Sequence, residues 1–103
     1  VQIFDGDIAP WDSHNHLVND HKKLALASDQ PIAAFLADLK RLGLFDETLV
    51  VWASEFGRTA TAELNDNNPM ERAGRDHNHE AYSVWLAGGG AKGGQAIGET
   101  DDF

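Results

Sequence analysis

TLVVWASEFGRT, residues 48–59, is the stretch on which the reading of the fold turns. It begins apolar and largely β-branched at Leu49, Val50, Val51 and Trp52, then becomes polar at Ser54, Glu55, Gly57 and Arg58. A short apolar run bounded by turn residues fits a strand buried on both faces. The segment before it has a helical pattern. Ile32, Phe35, Leu36, Leu39 and Leu42 fall on one helical face, and Gly43 suits the position just past a helix end. Helix, short connection and buried strand make half of a βαβ unit. The expected fold class is therefore α/β, part of a doubly wound, mostly parallel sheet with flanking helices. In such sheets chemistry gathers beyond the carboxyl ends of the strands, where Glu55 and Arg58 would stand.

Outward from this stretch, residues 17–27 carry helix formers, with Leu17, Leu24 and Ala27 spaced for a common face. Asp29 and Pro31 mark a second helix start or a kink, because proline is best tolerated in a first turn. Residues 1–4 read as a strand and 5–10 as a loop. Residues 59–74 have no period and contain Asn65, Asp66, Asn67, Asn68 and Pro69 in a row, a surface-loop composition. Residues 81–87 are a second strand candidate, and 95–98 a last short one. The glycines between 88 and 94 match neither the dinucleotide nor the P-loop pattern, so a turn with close backbone contacts is expected there. No repeat or domain boundary is visible. Both ends look cut, so residues 1–103 read as one partial domain of a longer protein.

Composition narrows the function. A formal charge of −9 argues against nucleic-acid or anionic-membrane surfaces, which need basic patches. The absence of cysteine removes disulfides and thiolate metal sites. No apolar run approaches the length needed to cross a bilayer.

Three polar clusters carry the chemistry. In the first, Asp12, His14 and His16 are spaced two apart, so an extended backbone turns all three to one side, and carboxylate plus imidazole suits zinc, manganese or iron(II). The alternative is a helix N-cap at Asp12 or Ser13 with solvated histidines. In the second, Glu55 is a candidate metal ligand or base, and Arg58 a candidate clamp for phosphate or sulfate. The alternative is an ion pair closing a turn. In the third, Asp76 and His77 supply a ligand each, or the carboxylate orients the imidazole. The alternative there is a polar turn before a strand. His21, on the helix, reads as an ordinary surface residue.

Taken in order, W-D-x-H, D-x-T-L-V-V-W-x-x-E-F-G-R-T, G-R-D-H-N, W-L-A-G-G-G-x-K-G-G and G-E-T-D resemble the C-terminal half of the bacterial family catalogued as domain of unknown function 1501. That family is similar to sulfatases and the alkaline phosphatase superfamily. The resemblance covers essentially the whole chain. It implies a doubly wound α/β sheet with one or two divalent ions, usually zinc, manganese or calcium, at its carboxyl edge. It implies that Asp12 and His14 bind one ion, that His77 completes the site, and that Glu55 stands near a second. Phe56 occupies the place of a histidine of that second site, and His16 and His79 lie outside the motif. The nucleophile is expected in sequence preceding Val1, so residues 1–103 alone are expected to be a poor catalyst.

Two functions follow as expectations. One is part of a metal-dependent hydrolase of small-molecule or glycan phosphate or sulfate esters, with Asp12, His14, His77, Glu55 and Asp76 around the metal and Arg58 on the anion. The other is a non-catalytic module that binds a metal or an anionic glycan. The resemblance implies a periplasmic or secreted parent, and unpaired sheet edges would favour self-association.

Overall fold

The computed structural model describes residues 1–4, 10–64 and 69–100. The expected loop positions 5–9 and the asparagine-rich 65–68 lie outside the described residues. One long helix, α1 (Leu17–Arg41), is followed by a 3-10 turn at Phe45–Glu47. Four short strands come after it: β1 (Val50–Trp52), β2 (Gly57–Arg58), β3 (His77–Asn78) and β4 (Trp85–Ala87). A second 3-10 turn, Met70–Arg72, lies between β2 and β3.

Helix α1 runs unbroken through Pro31, so the expected second start is not there. Pro31 removes one hydrogen bond to the preceding turn, yet the helix continues through it into Ala33, Ala34 and Leu36, which favour helix. The C-terminus is a Schellman cap. Gly43, at φ 70°, donates to Lys40 O at 3.1 Å, and Leu44 donates to Leu39 O at 2.9 Å. The cap turns the chain so that Phe45 lies under the Lys40 ammonium, 4.9 Å from the ring centre.

The strands overturn the expected sheet. β1 pairs antiparallel with β4, Val50 opposite Ala87 and Trp52 opposite Trp85. β2 pairs antiparallel with β3, Gly57 opposite Asn78 and Arg58 opposite His77. These are two separate two-stranded ladders, one helix accompanies them, and the fold is not a doubly wound parallel sheet. A parallel pair needs a crossover of a dozen or more residues, usually a helix, whereas an antiparallel pair needs only a return of the chain. Among the described residues between β1 and β4 there is no α-helix, and the chain simply returns.

The two ladders are nested, so 50–63 and 74–87 form the arms of one long, interrupted hairpin. Thr59 N donates to Asp76 O at 2.9 Å, and an isolated bridge joins Glu63 to Gly74. β1 is not buried on both faces either: Val51 is 56% and Trp52 46% exposed. Leu39 is the one buried apolar side chain among the described residues. Residues 1–4 and 95–98 form no strand, and the side chains of Val1, Ile3, Phe4 and Ile97 stand exposed without a face to cover. The glycine run does turn the chain closely, since Gly89 N donates to Phe45 O at 3.0 Å and a Cβ on Gly88 would strike Phe45 O and Thr48 O.

Candidate metal centre

The site is assembled by backbone. The segment Trp11–Asn15, which turns at Trp11 and bends at His14, lies beside Ala73–Arg75, held by a bridge from Asn15 to Ala73 and by Arg75 N donating to Ser13 O at 3.2 Å. Gly74, which is buried, allows the two main chains to touch. His16 then takes the left-handed region at φ 50° and caps α1, its N–H bonded to Arg72 O at 2.6 Å. The N-cap is therefore His16, not Asp12 or Ser13. His16 belongs to neither ligand-type group, whereas Asp12 and His14 share one.

Three side-chain atoms of metal-ligand type, from two distant segments, converge. His77 Nε2 lies 2.9 Å from Asp12 Oδ1, His14 Nε2 lies 3.3 Å from the same oxygen, and the two nitrogens are 3.2 Å apart. Ligand atoms about 2.0–2.1 Å from one ion are separated by about 3.3 Å in a tetrahedron and about 2.9 Å in an octahedron. The observed triangle matches both, and a cation would sit roughly 1 Å off its plane. Phe56, the residue in the place of an expected histidine, packs on His77, ring centres 4.4 Å apart.

A second group, His14, Glu63 and Asp76, shares His14 with the first. Glu63 Oε2 is 2.8 Å from His14 Nδ1, whereas Asp76 Oδ1 is 4.0 Å from it. Asp76 Oδ1 accepts the His77 backbone N–H at 2.7 Å. Arg58 reaches the cluster too, but its guanidinium donates to Asp12 Oδ1 and to Arg75 O. One N–H thus goes to the Asp12 carboxylate and one to the Arg75 carbonyl. Glu55 is exposed and belongs to neither group. His79 is also outside, paired with Glu80 at 2.8 Å. His21 is not an ordinary surface residue: it is half-buried, 3.1 Å from Trp11 O and edge-on to the Trp11 ring.

Glu63 is the residue that sequence reasoning missed. It sits in a stretch without period, and only the pairing of Glu63 with Gly74 brings it to the site. The cue was the hairpin register, which no local pattern carries.

The charges act on each other. The hydrogen bond from His77, then that from Arg58, lowers the Asp12 pKa from 3.8 to about 2, against a small opposing effect of burial. The hydrogen bond to Glu63 raises His14 above 6.5, with the charges of Asp12 and Glu63 adding to it. In the metal-free protein the stabilisation from His14 is thus fully present below its unfolded value and fades as pH rises through the raised folded value. That from Asp12 is present above 3.8 and fades as pH falls toward about 2. Unfolding measured against pH should show the alkaline loss in the wild type and not in His14→Gln. Equal slopes on that limb would exclude the His14 contribution.

These features define a β-hairpin scaffold that carries a histidine–carboxylate cluster of metal-ligand type. Along its full length, residues 1–103, the chain matches the family described as Protein of unknown function (DUF1501), and it belongs to that family. No curated protein and no solved structure matches it. Among the described residues, no helix is long and apolar enough to cross a membrane.

Proposed function

We propose that this chain provides a divalent-cation centre, held by Asp12, His14 and His77, to a hydrolase of phosphate or sulfate esters. The observation that supports it is the triangle of Oδ1 and two Nε2 atoms, with edges between 2.9 and 3.3 Å. Two imidazoles and one carboxylate suit zinc or manganese, and disfavour calcium, which takes an all-oxygen shell. Three protein ligands leave a position open, the arrangement of catalytic rather than structural zinc sites.

A cation there supplies Lewis-acid stabilisation of charge on an ester oxygen. The residues bind and orient. Asp12 gives the negative charge, Arg58 holds the Asp12 carboxylate, and Phe56 packs on the His77 ring. A second reading, a module that binds an ion or an anionic glycan without turnover, draws on Arg58 being engaged with Asp12 and on Glu55 standing outside the cluster.

The test is metal content and turnover of the full-length protein. One tightly held zinc or manganese per chain, with metal-dependent hydrolysis of aryl phosphates or aryl sulfates, is the expected result. A stoichiometric ion without turnover selects the binding module. Failure to retain or take up any divalent ion defeats the hydrolase reading and the ion-binding form of the second, and absence of binding to an anionic glycan as well defeats the rest.

A further inference from the structure

We infer that Glu63 is a positioning residue for the cation site: it fixes the His14 ring as the tautomer protonated on Nδ1, which turns the Nε2 lone pair toward Asp12 and His77. The inference rests on the cation reading above and adds to it a residue that does not touch the ion.

The geometry is set by main chain at both ends of the contact. Glu63 N donates to Gly74 O at 2.9 Å, so Glu63 is pinned opposite Gly74. Gly74 itself lies against the backbone of Ser13, His14 and Asn15. Donor and acceptor are therefore both referenced to one buried glycine, and the 2.8 Å separation of His14 Nδ1 from Glu63 Oε2 follows from that frame. A neutral imidazole has one N–H and one lone pair. A carboxylate facing Nδ1 takes the N–H, leaving the lone pair on Nε2, the atom that forms the triangle with Asp12 and His77. Carboxylate partners of this kind orient metal-ligating histidines and make them more basic.

The rival arrangement is a second cation between His14 Nδ1, Glu63 and Asp76. It would require His14 to bridge two ions with both ring nitrogens deprotonated, which a neutral imidazole resists. Asp76 also stands back, at 4.0 Å from Nδ1, with the same oxygen engaged by the His77 N–H. A direct hydrogen bond to Glu63 needs neither change.

The experiment uses full-length protein carrying Glu63→Ala or Glu63→Gln, with two readouts. Zinc affinity, measured by competition with a chelator, should fall about 10–100-fold in Glu63→Ala. It should fall less in Glu63→Gln, whose amide oxygen still accepts from Nδ1. In metal-free protein at alkaline pH, long-range proton–nitrogen correlation spectra should show the Nδ1–H tautomer of His14 in the wild type and a shift toward Nε2–H in Glu63→Ala. If the wild type takes up no zinc, the cation reading falls, and the tautomer readout still decides whether Glu63 orients His14. Unchanged affinity and unchanged tautomer in Glu63→Ala overturn the inference. So does a stoichiometry that drops from two ions to one, which would make Glu63 a ligand. Should Glu63→Ala fail to fold, wild-type zinc affinity in Glu63→Gln overturns it equally.

Discussion

Asp12→Asn should weaken zinc binding by roughly 100- to 1,000-fold, which follows from dividing the about 10–16 kcal/mol of a structural zinc site among four ligands. Asp12 is the vertex of the site, because Oδ1 faces both His14 Nε2 and His77 Nε2 and also accepts from Arg58. Asparagine keeps the shape but removes the charge that offsets the cation. It also leaves the half-buried Arg58 guanidinium beside two imidazoles with no anion from Asp12 between them, an added repulsion toward any metal ion. Release in acid should follow protonation of the histidines, whose lone pairs the ion needs. The measurement is chelator competition near neutral pH, with His79→Ala as the reference, since His79 pairs with Glu80 away from the cluster. Equal affinity in the wild type and Asp12→Asn would remove Asp12 from the site, and with it the shared vertex.

The parts of this arrangement that are local were legible in the sequence. Spacing two apart pointed to Asp12 and His14 together, and Asp12 Oδ1 lies 3.3 Å from His14 Nε2, although the chain bends at His14 and is not extended there. The apolar face ending in Leu42 and the glycine at 43 located the end of α1, and the cap is the one those residues favour. His77 in its polar cluster does meet His14 across the fold.

What depends on pairing was not legible. The run from Leu49 to Trp52 has the same pattern whether its neighbours are parallel and buried or antiparallel and half-open, and only the return of the chain at Trp85–Ala87 decides it. Asp29 and Pro31 read as a second helix start or a kink, yet α1 continues through them as one helix. His16 shares the spacing of Asp12 and His14, but it caps α1 in the left-handed region and belongs to neither ligand-type group. Glu63 enters through the register of a hairpin whose arms are joined by a long stretch without period. The sequence resemblance carried the family correctly and the parallel sheet incorrectly, because the order of motifs along a chain says nothing about strand direction.

Gly74→Ala should abolish cation binding although it alters no ligand. A Cβ on Gly74 would meet Ser13 O, the His14 carbonyl carbon and Asn15 N, all of them backbone atoms that cannot swing aside. One main chain must move away from the other. The backbone contacts between the two segments are Arg75 N to Ser13 O at 3.2 Å, His16 N to Arg72 O at 2.6 Å and the bridge from Asn15 to Ala73. Forcing a methyl into such a contact typically costs about 1–3 kcal/mol. In a domain with so thin an apolar core that is a large share of what holds it. The consequence for the site is greater than for the fold. Asp12 and His14 ride on one segment and His77 on the other, so a shift of about 1 Å carries ligand edges beyond the separations that one ion spans. Glu63 shifts as well, since its bridge is to the same glycine. The comparison is Gly93→Ala, where nothing lies near the added carbon and φ is not positive. That variant should match the wild type in zinc affinity and unfolding midpoint, while Gly74→Ala loses the first outright and lowers the second. Wild-type affinity in Gly74→Ala would mean that the close approach of these two backbones does not build the site, and that the ligand triangle is held from elsewhere.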